Sequence, residues 1–353
     1  MAGKLNEGDV IEGIFTIGLA LYIADGKVDK TKLNKIRTQI DTKLFNTGRF
    51  KMTVATGITR SKGNRPPDIF NVGFEMRLKP ESVGGAFGKD YDQVYYKSSK
   101  DIGNIDKKID QLIKAIDYGS FSRRVNTITD QFLDNNVGEV VDFTVIADGI
   151  AGESSGGAIK GDVSLEVYAT SRGKTKRIHG GTIPFSLKSE SVTVANLSPY
   201  RGMLDIAEAL NIKWDGKEKY ERLSRPFTGP VEQKAKFEMI TSMYNDLKKE
   251  ISSKSSSSTF TKDALAFLGK NIFGDDLADV IDIQKNKVKE ITVNYFKEIQ
   301  SKATLYVVEK GNNLVFVDRK TQNPIFQIRT KLRPPPANEA KFYLEVGTGI
   351  YAN

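Results

Sequence analysis

The chain has 353 residues, 39% hydrophobic and 27% charged, the composition of a folded protein long enough for one large or two modest domains. Cysteine is absent and His179 is the single histidine, so there is no disulfide framework or thiolate site, and next to no material for a serine triad or a multi-histidine metal centre. A net charge of +9 favours polyanionic partners, which release counterions on binding; no run approaches the roughly 18 apolar residues of a membrane span, and no ordered signal-peptide pattern is seen, so the expected compartment is a reducing cytoplasm.

Residues 8–24 place Ile11, Phe15, Leu19 and Tyr22 at helical spacing, widened by Ile14, Ile17, Leu21 and Ile23. With Asp9 near the start and Gly26 after the end, they predict a helix packed against a sheet. Glu12 is the one acid inside the apolar run. Residues 27–46 repeat the helical period through Leu33, Ile36, Ile40 and Leu44, and Gly48 stops them. Residues 50–59 and 69–78 alternate as the strands of a hairpin. Their loop, SKGNRPPD, brings Arg60, Lys62 and Arg65 together as a solvated loop or as a tip that touches phosphate. Residues 84–100 read as irregular, and GGAFG lacks the lysine and hydroxyl of a phosphate loop. Two helices are predicted over 101–117 and 120–135, the second opening with Arg123 and Arg124, which are candidate nucleic-acid contacts.

Beyond residue 197, helices are predicted over 199–211, 231–251, 262–269 and 277–300. The run SSKSSSS at 252–258 reads as a flexible linker or an exposed loop. Strands over 303–308, 314–318, 325–332 and 342–346 close the chain, with turn signals at Lys310-Gly311-Asn312 and Gln322-Asn323. Arg329, Lys331 and Arg333 put cations on one strand face, opposite Ile328 and Leu332. Such a row suits a phosphate backbone, and is equally an ordinary solvated face.

The informative stretch lies between residues 139 and 197. Three β-rich runs follow one another at 140–147, 162–169 and 182–189, with the basic turn RGKTKRIHGG between the last two. His179 sits in that turn as a solvated loop residue. Side chains two apart on a strand share a face. Asp162, Ser164 and Glu166 therefore share one face of the middle strand, and Ser186, Lys188 and Glu190 one face of the next. If those faces coincide, an acid meets a lysine across neighbouring strands. Hard divalent cations take oxygen ligands, and a lysine beside one offsets phosphate charge and orients water.

KGDVSLEV followed by IPFSLKS resembles the PD-(D/E)XK nuclease superfamily, with its restriction-endonuclease-like fold. In that family an Asp opens the second core strand and an acid-x-Lys tripeptide lies on the third. Asp162 matches the first position and Lys188 the lysine; the second acid falls at Ser186, where this chain departs from the pattern. The resemblance implies a mixed α/β fold: a core sheet flanked by helices, spanning 1–251 with an insertion at about 27–138, then the serine-rich segment and a C-terminal α+β region over 259–353. It implies Mg²⁺ or Mn²⁺ as cofactor, Asp162 as principal ligand, Lys188 positioning the attacking water and Ser186 holding a metal-bound one. Glu12, Glu166 or Glu190 would supply the missing carboxylate. DNA is the implied partner, met through Arg123, Arg124, Lys174, Lys176, Arg177, Arg329 and Lys331, with a homodimer allowed. The expected activity is restriction-like or phage-type endonuclease cleavage, in the host cytoplasm if the source is viral. The alternative, for which Ser186 is the best support, is a non-catalytic DNA-binding or viral assembly protein that keeps a degenerate nuclease fold.

Overall fold

The computed structural model describes residues 7–40, 44, 47–61, 63, 66–78, 105–150, 161–189, 193–255, 257–284 and 288–351. They form two compact units, Met1–Glu190 with Asp276–Glu290, and Ser191–Asp275 with Ile291–Asn353. Glu190, Lys62, Arg65 and the stretch 84–100 lie outside the described residues.

A seven-stranded mixed sheet organises the first unit. Strands β1 (Arg49–Arg60) and β2 (Asp68–Leu78) form an antiparallel hairpin. β3 (Val140–Ile150) runs parallel to β2. β4 (Val163–Ser171) and β5 (Lys174–Ser189) continue as an antiparallel meander. β7 (Asp279–Ile283) returns parallel to β5, and β8 (Val288–Ile291) ends the order β1-β2-β3-β4-β5-β7-β8. The hairpin expected as an insertion is thus part of the same sheet. A parallel step needs a long crossover, and between β2 and β3 the helices α3 (Ile105–Ile116) and α4 (Gly119–Asn135) lie in it.

Period-two alternation decides the two faces. Phe70, Val72, Phe74 and Met76 of β2, Val141, Phe143 and Val145 of β3, Val163, Leu165 and Val167 of β4, and Phe185 and Leu187 of β5 are buried in one core. The helix α1 (Glu7–Asp25) joins that core with Ile14, Phe15, Ile17 and Leu21 inaccessible to solvent. A helix apolar nearly all round has to be covered on more than one side, and at Gly18 a Cβ would come within 2.5 Å of Ile116 Cδ1 on α3. Phe121 of α4 ties the layers together, with its ring 5.8 Å from Phe15 and 5.8 Å from Phe185.

In the second unit, β6 (Thr193–Leu197), β12 (Glu339–Val346), β11 (Pro324–Arg333), β10 (Asn313–Asp318) and β9 (Leu305–Lys310) form an antiparallel sheet in that order. After α5 (Arg201–Ala209) and the short α6 (Gly216–Lys219), α7 (Gly229–Lys254) contributes Tyr244 against Phe342, and α8 (Ser258–Phe273) contributes Phe260 against Phe316. The serine run lies inside this unit. It is the last turn of α7, a short turn, and the cap of α8, where Ser257 Oγ accepts the Phe260 N–H at 3.2 Å. Serine at such a position competes well for an otherwise unpaired amide.

Two predicted helices differ from the structure. The helix expected over 27–46 is interrupted: α2 (Lys30–Arg37), started by Asp29, whose side chain accepts from the Lys32 amide, gives way to a turn at 38–40, and among the described residues beyond it Leu44 is helical again. Residues 277–300 split into β7, β8 and the short helix α9 (Val293–Lys302). The acids and lysines there mimic a solvated helix face, but Val280, Ile281, Ile283, Val288 and Ile291 are buried, and β-branched residues fit a covered strand. Among the described residues, no helix is long and apolar enough to cross a membrane.

Phe121→Ala should destabilise the first unit by about 3–5 kcal/mol, because it empties the joint between α1, α4 and β5. Urea unfolding would measure it; a loss below about 1 kcal/mol would show that the ring is not central to the core.

Candidate functional site

The outer face of the first sheet is polar, and its chemistry collects where β4 begins. Asp162 precedes β4 and donates its N–H to Phe185 O at 2.8 Å, which fixes it against β5. Gly161 makes that approach feasible: a Cβ there would lie 2.8 Å from Pro184 Cβ and from Asp276 Oδ2, the atom that accepts the Gly161 N–H at 2.7 Å. Asp162 Oδ2 accepts the Leu187 N–H at 2.7 Å and the Ser186 hydroxyl at 3.1 Å. Lys188 Nζ stands 3.7 Å from the same oxygen. Ser186 is buried, while the side chains of Asp162 and Lys188 keep about a third of their surface open. Among the described residues Asp162 Oδ1 takes no partner.

One acidic neighbour was missed from sequence. Lys188 is in register with Asp282 of β7, so the two side chains leave the sheet on the same face. Asp282 is 1% exposed, and Gln284 Nε2 donates to its Oδ2 at 2.7 Å. The signal available was the β-branched run VIDI, which the helical reading of 277–300 hid.

Of the three acids expected to substitute for the missing one, Glu190 lies outside the described residues and the other two lie elsewhere. Glu166 is four residues along β4 from Asp162, about 13 Å in an extended strand. It accepts from Arg177 Nη2 at 2.8 Å and from the Tyr168 hydroxyl, and that second bond is the main reason the Tyr168 pKa is raised. Glu12 belongs to α1, which packs on the Phe185 and Leu187 face, whereas Ser186 and Lys188 point to the other.

The basic residues have scattered roles. Arg123, Lys174 and Lys176 are exposed, the last two beside the tight turn where Arg172 and Gly173 both take positive φ, as a two-residue hairpin requires. Arg124 instead donates to Asp279 and to Glu290 Oε2 inside the first unit. In the second unit Arg329 donates to Glu345 Oε1 at 2.6 Å and Lys331 to Glu339 Oε1 at 3.1 Å.

Would a divalent cation fit? No group of three or more histidine, aspartate or glutamate side chains gathers among the described residues. Mg²⁺ nevertheless binds through one or two carboxylates while water and phosphate complete its shell. Asp162 Oδ1 offers one such oxygen, so the donor set admits Mg²⁺ as a weak ligand shared with substrate. The chain matches no family model, no curated protein and no solved structure.

Further along the same outer face lies a cleft of about 410 Å³ lined by Arg49, Lys51, Asn71, Glu75, Arg77 and Asp142. Glu75 is its buried acid. Burial would raise its carboxyl, but hydrogen bonds from Arg49 and Arg77 outweigh that and hold it below the ordinary 4.5. A carboxyl depressed in the folded state adds stability above its unfolded value, and that stability is lost as pH falls through the folded value. Glu75→Gln should therefore flatten the loss of stability seen below about pH 4.5 in acid unfolding. An unchanged pH profile would remove Glu75 as a contributor.

Proposed function

We propose that the chain hydrolyses DNA phosphodiester bonds in a Mg²⁺-dependent reaction, with Asp162 and Lys188 at its centre. The observation that carries this reading is the approach of Lys188 Nζ on β5 to within 3.7 Å of Oδ2 of Asp162, the residue that leads into the neighbouring β4, an arrangement that suits the family resemblance. The meander β3-β4-β5, followed by a crossover to β7 parallel to β5, supports a restriction-endonuclease-like core around them.

The chain's own residues divide the work. Ser186 and the Leu187 N–H anchor Oδ2 of Asp162, which turns Oδ1 outward as the charged ligand. Lys188, about a third open to solvent, meets a scissile phosphate or the water that attacks it, and its ammonium offsets charge that grows in the transition state. Bound Mg²⁺ would add neutralisation of phosphate charge and a more acidic water. Arg123, Lys174 and Lys176 are exposed cations available to the DNA backbone.

A second reading has its own observation. The Ser186 hydroxyl occupies the position of the family's second acid and is spent on Asp162. A site with one carboxylate suits a DNA-binding or assembly protein that has lost catalysis.

Plasmid nicking with Mg²⁺ and Mn²⁺ separates the two. The parent should nick, and Lys188→Ala should slow nicking at least about a hundredfold while leaving the fold intact. Asp162→Asn should abolish nicking and also weaken metal binding in calorimetry. Ser186→Glu restores the acid-x-Lys pattern and should tighten metal binding. A parent that neither nicks nor binds either metal, with no gain in Ser186→Glu, would overturn the enzyme reading in favour of the non-catalytic one.

A further inference from the structure

The second unit carries a cationic sheet face that the site on the first unit does not use. On β11 the side chains of Arg329, Lys331 and Arg333 point outward, and the register pairs them with Tyr343, Lys341 and Glu339 of β12. Glu339 alone answers three cations: Lys341 Nζ at 2.8 Å, Lys331 Nζ at 3.1 Å and Arg333 Nε at 3.4 Å. The Lys341 ammonium, then that of Lys331, pulls its carboxyl down to about 2, so it stays ionised at neutral pH. Even so, one carboxylate leaves two of the three positive charges uncompensated.

An aromatic group sits within this field. The Arg329 guanidinium lies over the Tyr343 ring, 4.2 Å from its centroid, anchored from behind by the buried Glu345. On the other side Tyr343 is in register with Asn196 of the edge strand β6. Here a depression of about 340 Å³ is lined by Tyr343, Lys341, Asn196, Leu197 and Pro199. Apolar walls that include the buried Phe342, the half-buried ring of Tyr343, one amide and a lysine at the rim make up the contact set of a nucleobase and its phosphate.

We infer that this face of β6, β12 and β11 binds single-stranded nucleic acid, with a base against Tyr343 and Pro199, Asn196 meeting its edge, and the backbone following Lys341, Lys331 and Arg333. A duplex keeps its base faces stacked inside and can use only the cations, so the aromatic depression favours the single strand. The inference does not depend on cleavage at Asp162 and Lys188. A strand held here would pair the first unit's proposed chemistry with a separate grip on unpaired DNA.

Fluorescence anisotropy on the full chain tests it, using labelled oligo-dT, a duplex of equal length, and heparin as competitor. Oligo-dT should bind at least about tenfold more tightly than duplex. Tyr343→Ala should weaken oligo-dT about tenfold, in line with the loss of one base–aromatic stack, while Tyr343→Phe keeps the ring and should keep the affinity. Lys331→Ala with Lys341→Ala should lower the log–log salt slope by about 1.4 between about 50 and 200 mM salt. Equal affinity for oligo-dT, duplex and heparin would overturn the assignment in favour of a general polyanion surface. Unchanged binding in the Tyr343→Ala and double-lysine variants would overturn its location. Neither result bears on plasmid nicking, which reads the other unit.

Discussion

The first unit depends on one guanidinium held mostly out of water. Arg124 of α4 reaches Asp279 on β7 and Glu290 on β8, and its plane lies 5.4 Å from the Phe121 centroid and 5.7 Å from that of Phe185. Ser120 adds a hydrogen bond to Glu290 Oε1 at 2.5 Å. Burial lowers the Arg124 pKa against the pull of Glu290, the mark of a charge kept in place by its partners. Breaking such a pair by removing one member costs about 3–5 kcal/mol in comparable settings, because the other charge is left buried and alone. The cluster joins helix, central strand and returning segment.

That edge matters for the site. Lys188 lies on β5 between the carboxylate of Asp162 on one side and the register position of Asp282 on the other. In the nuclease reading proposed above, Ser186 stands where the resembled pattern has a second acid, so the local charge offered to a cation would be lower by one. Ligand charge count is a main determinant of affinity for hard cations. A working site built this way draws more of its cation affinity from substrate phosphate, and metal and DNA should then bind cooperatively rather than independently.

Much of this arrangement is legible in the alternation of residues along β3, β4 and β5, because a period of two assigns faces without any tertiary information. That rule groups Asp162 with Ser164 and Glu166, and Lys188 with Ser186, and only the register between β4 and β5 makes the two faces coincide. Asp282 could not be placed by it. Its strand has five residues, its pairing with β5 is parallel and spans nearly a hundred positions, and the one local signal, the β-branched run VIDI, is too short to outweigh the helix-like spacing of acids and lysines around it. Arg124 shows the same limit: at a helix start it reads as a solvent-facing cation, and only the long-range return of Asp279 and Glu290 reveals its role. The serine run misleads in the opposite direction, since caps and loops draw on the same residues for the same reason, a side-chain oxygen ready to accept a backbone amide.

The return of Asp276–Glu290 into the first unit has a consequence for synthesis. A ribosome adding about 5–20 residues per second completes β5 well before it reaches β7, roughly 5–20 s earlier. Through that interval the end of β5 that bears Ser186 and Lys188 has an open edge, and Arg124 lacks both of its carboxylates. The second unit waits too, because its own sequence is interrupted by the same segment. Neither unit can finish folding as a nascent chain before the other has been largely made. The first unit closes only once Glu290 has been made and the second only after the strands beyond Ile291, and a chain cut after Glu190 yields an unclosed sheet rather than an independent domain.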